Sequence, residues 1–325
     1  MRILCNFAAR EEVSRNLDSL LNLNTMEPIK NFDELIAHLE QRGIRSRVAV
    51  VWPSDISTQY AVCKALEHSF VDALFVGCRE EVEQNKRLMA HADHITFVPA
   101  DSRDEAAEKA VALIREERAD ILMKGMINTD NLLRCVLNKE TGILKPGRVL
   151  THIAVAFLPQ YPKMLCFTDS AVIPYPTQEQ REKQVGYISY VCHALGIEEP
   201  RIALTHCSEK VQEKHFPFTA GYKDIIEKAR QGEWGKCIVD GPMDVKTACS
   251  RENMIQKGLS SPINGEADAL IFPDIEAGNM FYKTITLFCH AETAAILQGP
   301  LCPVVLPSRA DNHMSKYYSL ALAAL

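Results

Sequence analysis

With 325 residues, 47% hydrophobic and 24% charged, the chain is long enough for two ordinary domains and apolar enough to bury a core, which sets aside intrinsic disorder. Its 36 basic and 42 acidic residues leave a formal charge of -6, so there is no molecule-wide field for a polyanion. Nucleic acid is therefore not an expected partner, and any phosphate must be held locally. Eleven cysteines, scattered singly without a C-x-x-C pair, read as reduced, mostly buried thiols.

Residues Met1 to Met26 carry Glu11, Glu12 and Asp18 and no unbroken apolar run, which fits neither a signal peptide nor a transit peptide. No stretch approaches the ~20 apolar residues of a membrane span, so a cytoplasmic protein without membrane contact is expected. Helical periodicity begins at Asn31; residues 1–25 read as a loose N-terminal arm or an upstream extension.

Short apolar runs then alternate with helical segments, beginning with the strand-like Val48-Ala49-Val50-Val51-Trp52 and the helix-like Thr58 to Phe70. That alternation predicts an α/β fold with mainly parallel, doubly wound sheets. His91 and His94 lie three apart, but no third ligand is close in sequence, so no metal site is expected there.

Ala107, Ala110, Val111 and Ile114 recur at helical spacing, and Asp120-Ile121-Leu122-Met123 reads as a buried strand that delivers Lys124-Gly125 at its end. In open α/β sheets ligands collect outside the carboxyl ends of strands, so this cation and glycine are candidate ligand contacts, against the alternative of a surface lysine before a turn.

No G-x-G-x-x-G follows a strand, and Gly142 to Val149 only mimics a P-loop, with Arg148 where lysine belongs. ATP or nicotinamide binding through those motifs is not expected. Pro159, Pro162, Pro174 and Pro176 crowd the next segment, and a domain boundary is placed near Gly147. Further strands are expected at Ile153 to Phe157, Met164 to Phe167, Ile202 to Thr205, Cys237 to Asp240, Ala269 to Phe272 and Val304 to Leu306.

Near the C-terminus, the strand Asp268 to Phe272 runs into Pro273-Asp274-Ile275-Glu276-Ala277-Gly278-Asn279, with a helix expected from Met280 to Cys289. A strand, a glycine turn and a helix N-terminus together offer backbone N–H groups to an anion, with Asn279 and Lys283 on one helical face. An ordinary βα turn capped by asparagine is the alternative. The last strand delivers Ser308-Arg309-Ala310-Asp311, a hydroxyl, a planar guanidinium and a carboxylate at one strand-to-helix corner. Alternatively, Ser308 or Asp311 merely caps the final helix.

These segments, together with the Thr168-Asp169 step, Asp240-Gly241-Pro242 and Ser261-Pro262 through Gly265, resemble the phosphotransacetylase and phosphotransbutyrylase family, closer to its phosphate butyryltransferase branch. The resemblance runs from about Asn31 to the C-terminus. It implies two α/β domains in the style of isocitrate and isopropylmalate dehydrogenases with an active-site cleft between them, 1–146 plus 299–325 and 147–298, usually as a homodimer.

The same resemblance implies a phosphate acyltransferase that moves a short acyl group, butyryl, branched or acetyl, between coenzyme A and inorganic phosphate. Acyl-CoA, phosphate and acyl phosphate are its small-molecule partners, and coenzyme A is a substrate, with no covalently bound cofactor and no metal. Ser308, Arg309 and Asp311 are then the catalytic candidates. Lys124, Gly125, Thr129, Asp169, Gly278, Asn279 and Lys283 are the substrate- and phosphate-binding candidates. The acetyl branch carries an aspartate seven residues after the motif serine, where this chain has Ser315, so Asp311 is the candidate base. Two other functions fit the same fold, a metal- and nicotinamide-dependent decarboxylating dehydrogenase and a non-catalytic acyl-CoA sensor.

Overall fold

The computed structural model describes residues 27–307 and 312–325. They divide into two compact units, one holding Asp33–Arg148 and Ala294–Leu325, the other Glu27–Phe32 and Val149–Thr293.

In chain order the first stretch runs α1 (Phe32–Arg42), β1 (Ser46–Val51), α2 (Ile56–Glu67), β2 (Val71–Val76), α3 (Arg79–Glu83), α4 (Lys86–Met89), β3 (Ile95–Val98), α5 (Arg103–Arg115), β4 (Ile121–Lys124) and α6 (Thr129–Val136). The middle stretch runs β5 (Thr151–Phe157), β6 (Leu165–Thr168), α7 (Gln178–Ala194), β7 (Arg201–Thr205), α8 (Tyr222–Arg230), β8 (Ile238–Met243), α9 (Val245–Cys249), α10 (Arg251–Gln256), β9 (Ala269–Ile271) and α11 (Ile275–Phe288). The chain closes with β10 (Glu292–Gln298), β11 (Val304–Val305) and α12 (His313–Ala324).

The first unit's strands lie in the order β3-β2-β1-β4-β11-β10. All neighbouring pairs are parallel except β10 with β11. Val48 to Val51 and Ile121 to Met123 are buried on both faces, which is why their sequences read as unbroken apolar runs instead of alternating ones. Ser102 caps α5 by accepting from the Glu105 amide, and the helix buries Ala106, Ala107, Ala110, Val111, Leu113 and Ile114, the stripe its periodicity predicts.

The second unit orders its strands β5-β6-β9-β7-β8, with β5 antiparallel to β6 and the other pairs parallel. Gln178 to Ala194 forms its longest helix, begun by a capping box between Thr177 and Gln180. The expected strands at Ile153, Met164, Ile202, Cys237, Ala269 and Val304 are all present to within a few residues, whereas β2, β3 and β10 were not anticipated.

One expectation is corrected. The helix placed from Met280 begins at Ile275, because the Asp274 side chain accepts from the Ala277 amide and starts it five residues earlier. Gly278 therefore lies inside the helix, not in a turn. The ten cysteines among the described residues are free thiols, and of these only Cys207 is exposed. No described helix is long and apolar enough to cross a membrane.

Candidate active site

In the first unit, strand order reverses between β1 and β4, whose outgoing connections run to opposite sides. In open α/β sheets ligands bind outside the carboxyl ends of the strands at such a switch point. Val51 of β1 pairs with Lys124 of β4 at that end. Lys124 is 7% exposed, with its ammonium 3.4 Å from the Gly125 carbonyl.

Gly125 is required by packing: a Cβ there would meet the Val51 carbonyl at 2.5 Å and the Trp52 carbonyl at 2.6 Å. That close approach lets the Gly125 amide donate to Val51 (2.9 Å) and the Met126 amide to Trp52 (2.8 Å), lacing the two strand ends together. Asn128 then caps α6, leaving Thr129 as its first residue, half-buried.

The last strand comes to the same edge. Val304 and Val305 of β11 pair with Leu122 and Met123 of β4, so the chain leaves β11 beside the strand that ends in Lys124. Ser308, Arg309 and Asp311 lie outside the described residues. Description resumes at Asn312, which caps α12 by accepting from the Ser315 amide at 2.7 Å. One turn into α12, the Lys316 ammonium lies 3.0 Å from Asp55 and 3.4 Å from the Thr58 hydroxyl, and Asp55 is the cap of α2, just beyond β1. Burial pulls the Asp55 carboxyl upward, but the hydrogen bonds from Thr58 and Lys316 outweigh it and hold the group below its ordinary range.

In the second unit the carboxyl ends of β6 and β9 are adjacent, with the Phe272 amide donating to the Thr168 carbonyl at 2.8 Å. Asp169 follows a cis peptide bond with Thr168 and is almost fully buried. Its carboxylate accepts from the Thr151 hydroxyl (2.8 Å) and the amides of His152 (3.1 Å), Ala171 (2.8 Å), Val172 (2.9 Å) and Ile173 (3.3 Å). Those bonds fill the lone pairs of the carboxylate, so Asp169 shapes the 169–173 turn.

Gly278 of α11 lies against the Asp169 carbonyl so closely that any Cβ would collide with it, and the Asn279 amide donates to the Ser170 carbonyl at 2.9 Å. Asp169, Gly278 and Asn279 thus form one packed junction of turn and helix. Lys283 lies one turn beyond Asn279, exposed, with its ammonium 4.8 Å from the centre of the Tyr282 ring.

The open helix N-terminus expected here is closed. The amide of Ile275 donates to Pro174 (3.0 Å), that of Ala277 to the Asp274 side chain (2.8 Å) and that of Gly278 to the Asp274 carbonyl (3.3 Å). The Asp274 carboxylate already takes the anion's place at the positive end of the dipole.

Several positioning groups were not legible. Arg181 of α7 is 1% exposed and donates to the carbonyls of Pro176 (3.2 Å), Phe272 (3.3 Å) and Pro273 (3.3 Å), clamping the turn before α11. Burial pushes its guanidinium below the ordinary arginine range. In sequence it is one arginine among the polar residues of a helix, with no signal of burial. The Ser261 hydroxyl donates to Asp240 at 2.5 Å, joining two motifs that the sequence showed only as separate matches.

Units built on mainly parallel sheets define a wide class of α/β proteins, and solved structures share this fold. A branched-chain phosphotransacylase from Enterococcus faecalis superposes with a TM-score of 0.75 at 32% identity, over 86% of this chain and 97% of that one. A 4-hydroxythreonine-4-phosphate dehydrogenase from Klebsiella pneumoniae shares the fold alone, at 13% identity and a TM-score of 0.50 over 86% and 98%.

The family model described as phosphate acetyl/butaryl transferase matches residues 101–324. Phosphate butyryltransferase of Clostridium acetobutylicum is 35% identical over 91% of this chain and 98% of its own length, and phosphate acetyltransferase of Thermotoga maritima is 32% identical over 87% and 96%. The chain belongs to the phosphate acetyl/butyryl transferase family.

Proposed function

We propose that this protein transfers a short acyl group between coenzyme A and inorganic phosphate (acyl-CoA + phosphate = acyl phosphate + CoA), with butyryl or a branched short chain preferred over acetyl. The observation that carries the reading is the near full-length similarity to phosphate butyryltransferases. It acts as a cytoplasmic homodimer, without nucleic acid, membrane or covalently bound cofactor.

In the direction of CoA acylation, the thiol loses its proton, its sulfur attacks the acyl phosphate carbonyl, and phosphate leaves with the bonding electrons. Arg309 holds the phosphoryl group, Ser308 donates to the carbonyl oxygen and Asp311 receives the thiol proton. Lys124 and Gly125 at the β4 edge, with Thr129, Asn279 and Lys283, contact the substrates. Asp169 and Gly278 contribute the turn that supports Asn279.

An ordinary aspartate near pKa ~3.9 taking a proton from a thiol near ~8.5 faces a gap of about 6 kcal/mol. The cations Arg309 and Lys124 narrow it by favouring the thiolate, and positioning supplies much of the remaining rate. The test is release of free thiol from acetyl-, butyryl- and isobutyryl-CoA with and without phosphate. Phosphate-dependent release ranked butyryl or isobutyryl first supports the reading; tight acyl-CoA binding without release replaces it with a sensor.

A further inference from the structure

We propose that Cys63, Glu67 and His91 form a binding site for a borderline-soft divalent cation of the zinc class, separate from the residues assigned to acyl transfer. One donor atom from each side chain lies within 4.8 Å of the other two. Cys63 and Glu67 stand at i and i+4 on α2, hence on one face, and His91 follows α4.

The separation of the Cys63 and Glu67 donor atoms suits tetrahedral coordination. With metal–sulfur and metal–oxygen bonds of ~2.3 and ~2.0–2.2 Å, two ligands of one zinc ion sit roughly 3.5 Å apart. Cys63 Sγ and Glu67 Oε1 are 3.6 Å apart. A thiolate, an imidazole and a carboxylate select zinc or cobalt over magnesium or calcium, which take oxygen ligands. Water completes the fourth position.

His91 and His94 are close in sequence but serve different ends. His94 Nδ1 pairs with Asp72 at 2.9 Å, while His91 turns to a helix far back in the chain. The His91 ring makes no hydrogen bond among the described residues.

The surroundings prepare the ligands. Cys63 is 3% exposed, and its thiol proton is directed at Glu67 Oε1. Binding exchanges that proton for the metal: the S–H bond breaks, the sulfur pair forms the metal bond, and the proton passes to solvent. Arg87 donates from Nη2 to Glu67 Oε2 at 2.8 Å and from Nε to Oε1 at 2.7 Å. Keeping the Oε2 contact fixes the carboxylate while Oε1 meets the ion, as outer partners of metal ligands do. Arg87 is 59% exposed, so loosening its second contact opposes binding only weakly.

The test is titration of the reduced full chain with Co2+, reading the thiolate-to-cobalt charge-transfer band and its reversal by Zn2+. The chain carries other cysteines, so the readout is the difference between wild type and Cys63→Ser. The expected result is a wild-type band that Cys63→Ser loses, together with about tenfold or greater weakening of Co2+ binding in His91→Ala. Because His91 is half-buried, that variant keeps the test decisive should Cys63→Ser fail to fold. A wild type without the band, or a band unchanged in either variant, overturns the site.

Discussion

The ammonium of Lys316 lies 3.0 Å from the carboxylate of Asp55, and the two side chains are only 11% and 15% exposed. The pair ties the first turn of α12, just after the Ser308 to Asp311 segment, to the cap of α2 beyond β1. Lys316→Met leaves Asp55 with its cation removed in a mostly buried place, and a loss of about 2 kcal/mol is expected in denaturant unfolding. Adding Asp55→Asn should recover part of that loss, since the stranded charge is then gone.

Gly125→Ala is expected to cost about 2 kcal/mol, because the new methyl meets the backbone carbonyls of Val51 and Trp52, neither of which can rotate aside. Thermal unfolding reads the stability. Thiol-release assays should show a larger loss than this alone gives, since the same shift moves Lys124.

Asp169→Asn keeps the shape of the side chain but sets an NH2 group against N–H and O–H donors that now share one carboxylate. An expected cost of about 2 to 3 kcal/mol follows from leaving buried donors unmet. Unchanged stability in this variant would mean that the 169–173 turn is held by something other than the carboxylate.

Burial pushes the His193 ring below its ordinary value, and the hydrogen bond that Nδ1–H donates to the Ile197 carbonyl offsets only part of it. Burial likewise lowers His38 and His206. For each, the unfolded chain takes up a proton at higher pH than the folded one. The stability is therefore fully present above about pH 6.5 and is lost as pH falls through that value toward the depressed folded ones. The melting temperature should fall between pH 7.5 and about 5.5, before carboxylates protonate near pH 4, and His193→Gln should flatten the fall.

Much of the fold was legible because central parallel strands are buried on both faces. The run Ile121 to Met123 and the stripe of α5 announce themselves, and so does the strand end at Lys124 and Gly125. By contrast β2 carries Asp72 within its run, β3 is only half-buried, and β10 reads Glu-Thr-Ala-Ala-Ile-Leu-Gln with polar ends. The start of α11 was misplaced because Pro273 and Gly278 look like turn punctuation. Gly278 is small for a different reason, the Asp169 carbonyl, which lies far back in the chain. Arg181 and the donors around Asp169 stayed hidden for the same cause: each partner comes from a different element, and no local pattern encodes it.

The measurement that tests the account most directly is phosphate-dependent release of free thiol from butyryl-CoA by wild type and Arg309→Ala, with circular dichroism on both. Release is expected to need phosphate in the wild type and to fall by about 10^2 to 10^3 in a folded Arg309→Ala protein. Release that ignores phosphate, or near-normal turnover in the folded variant, would contradict it.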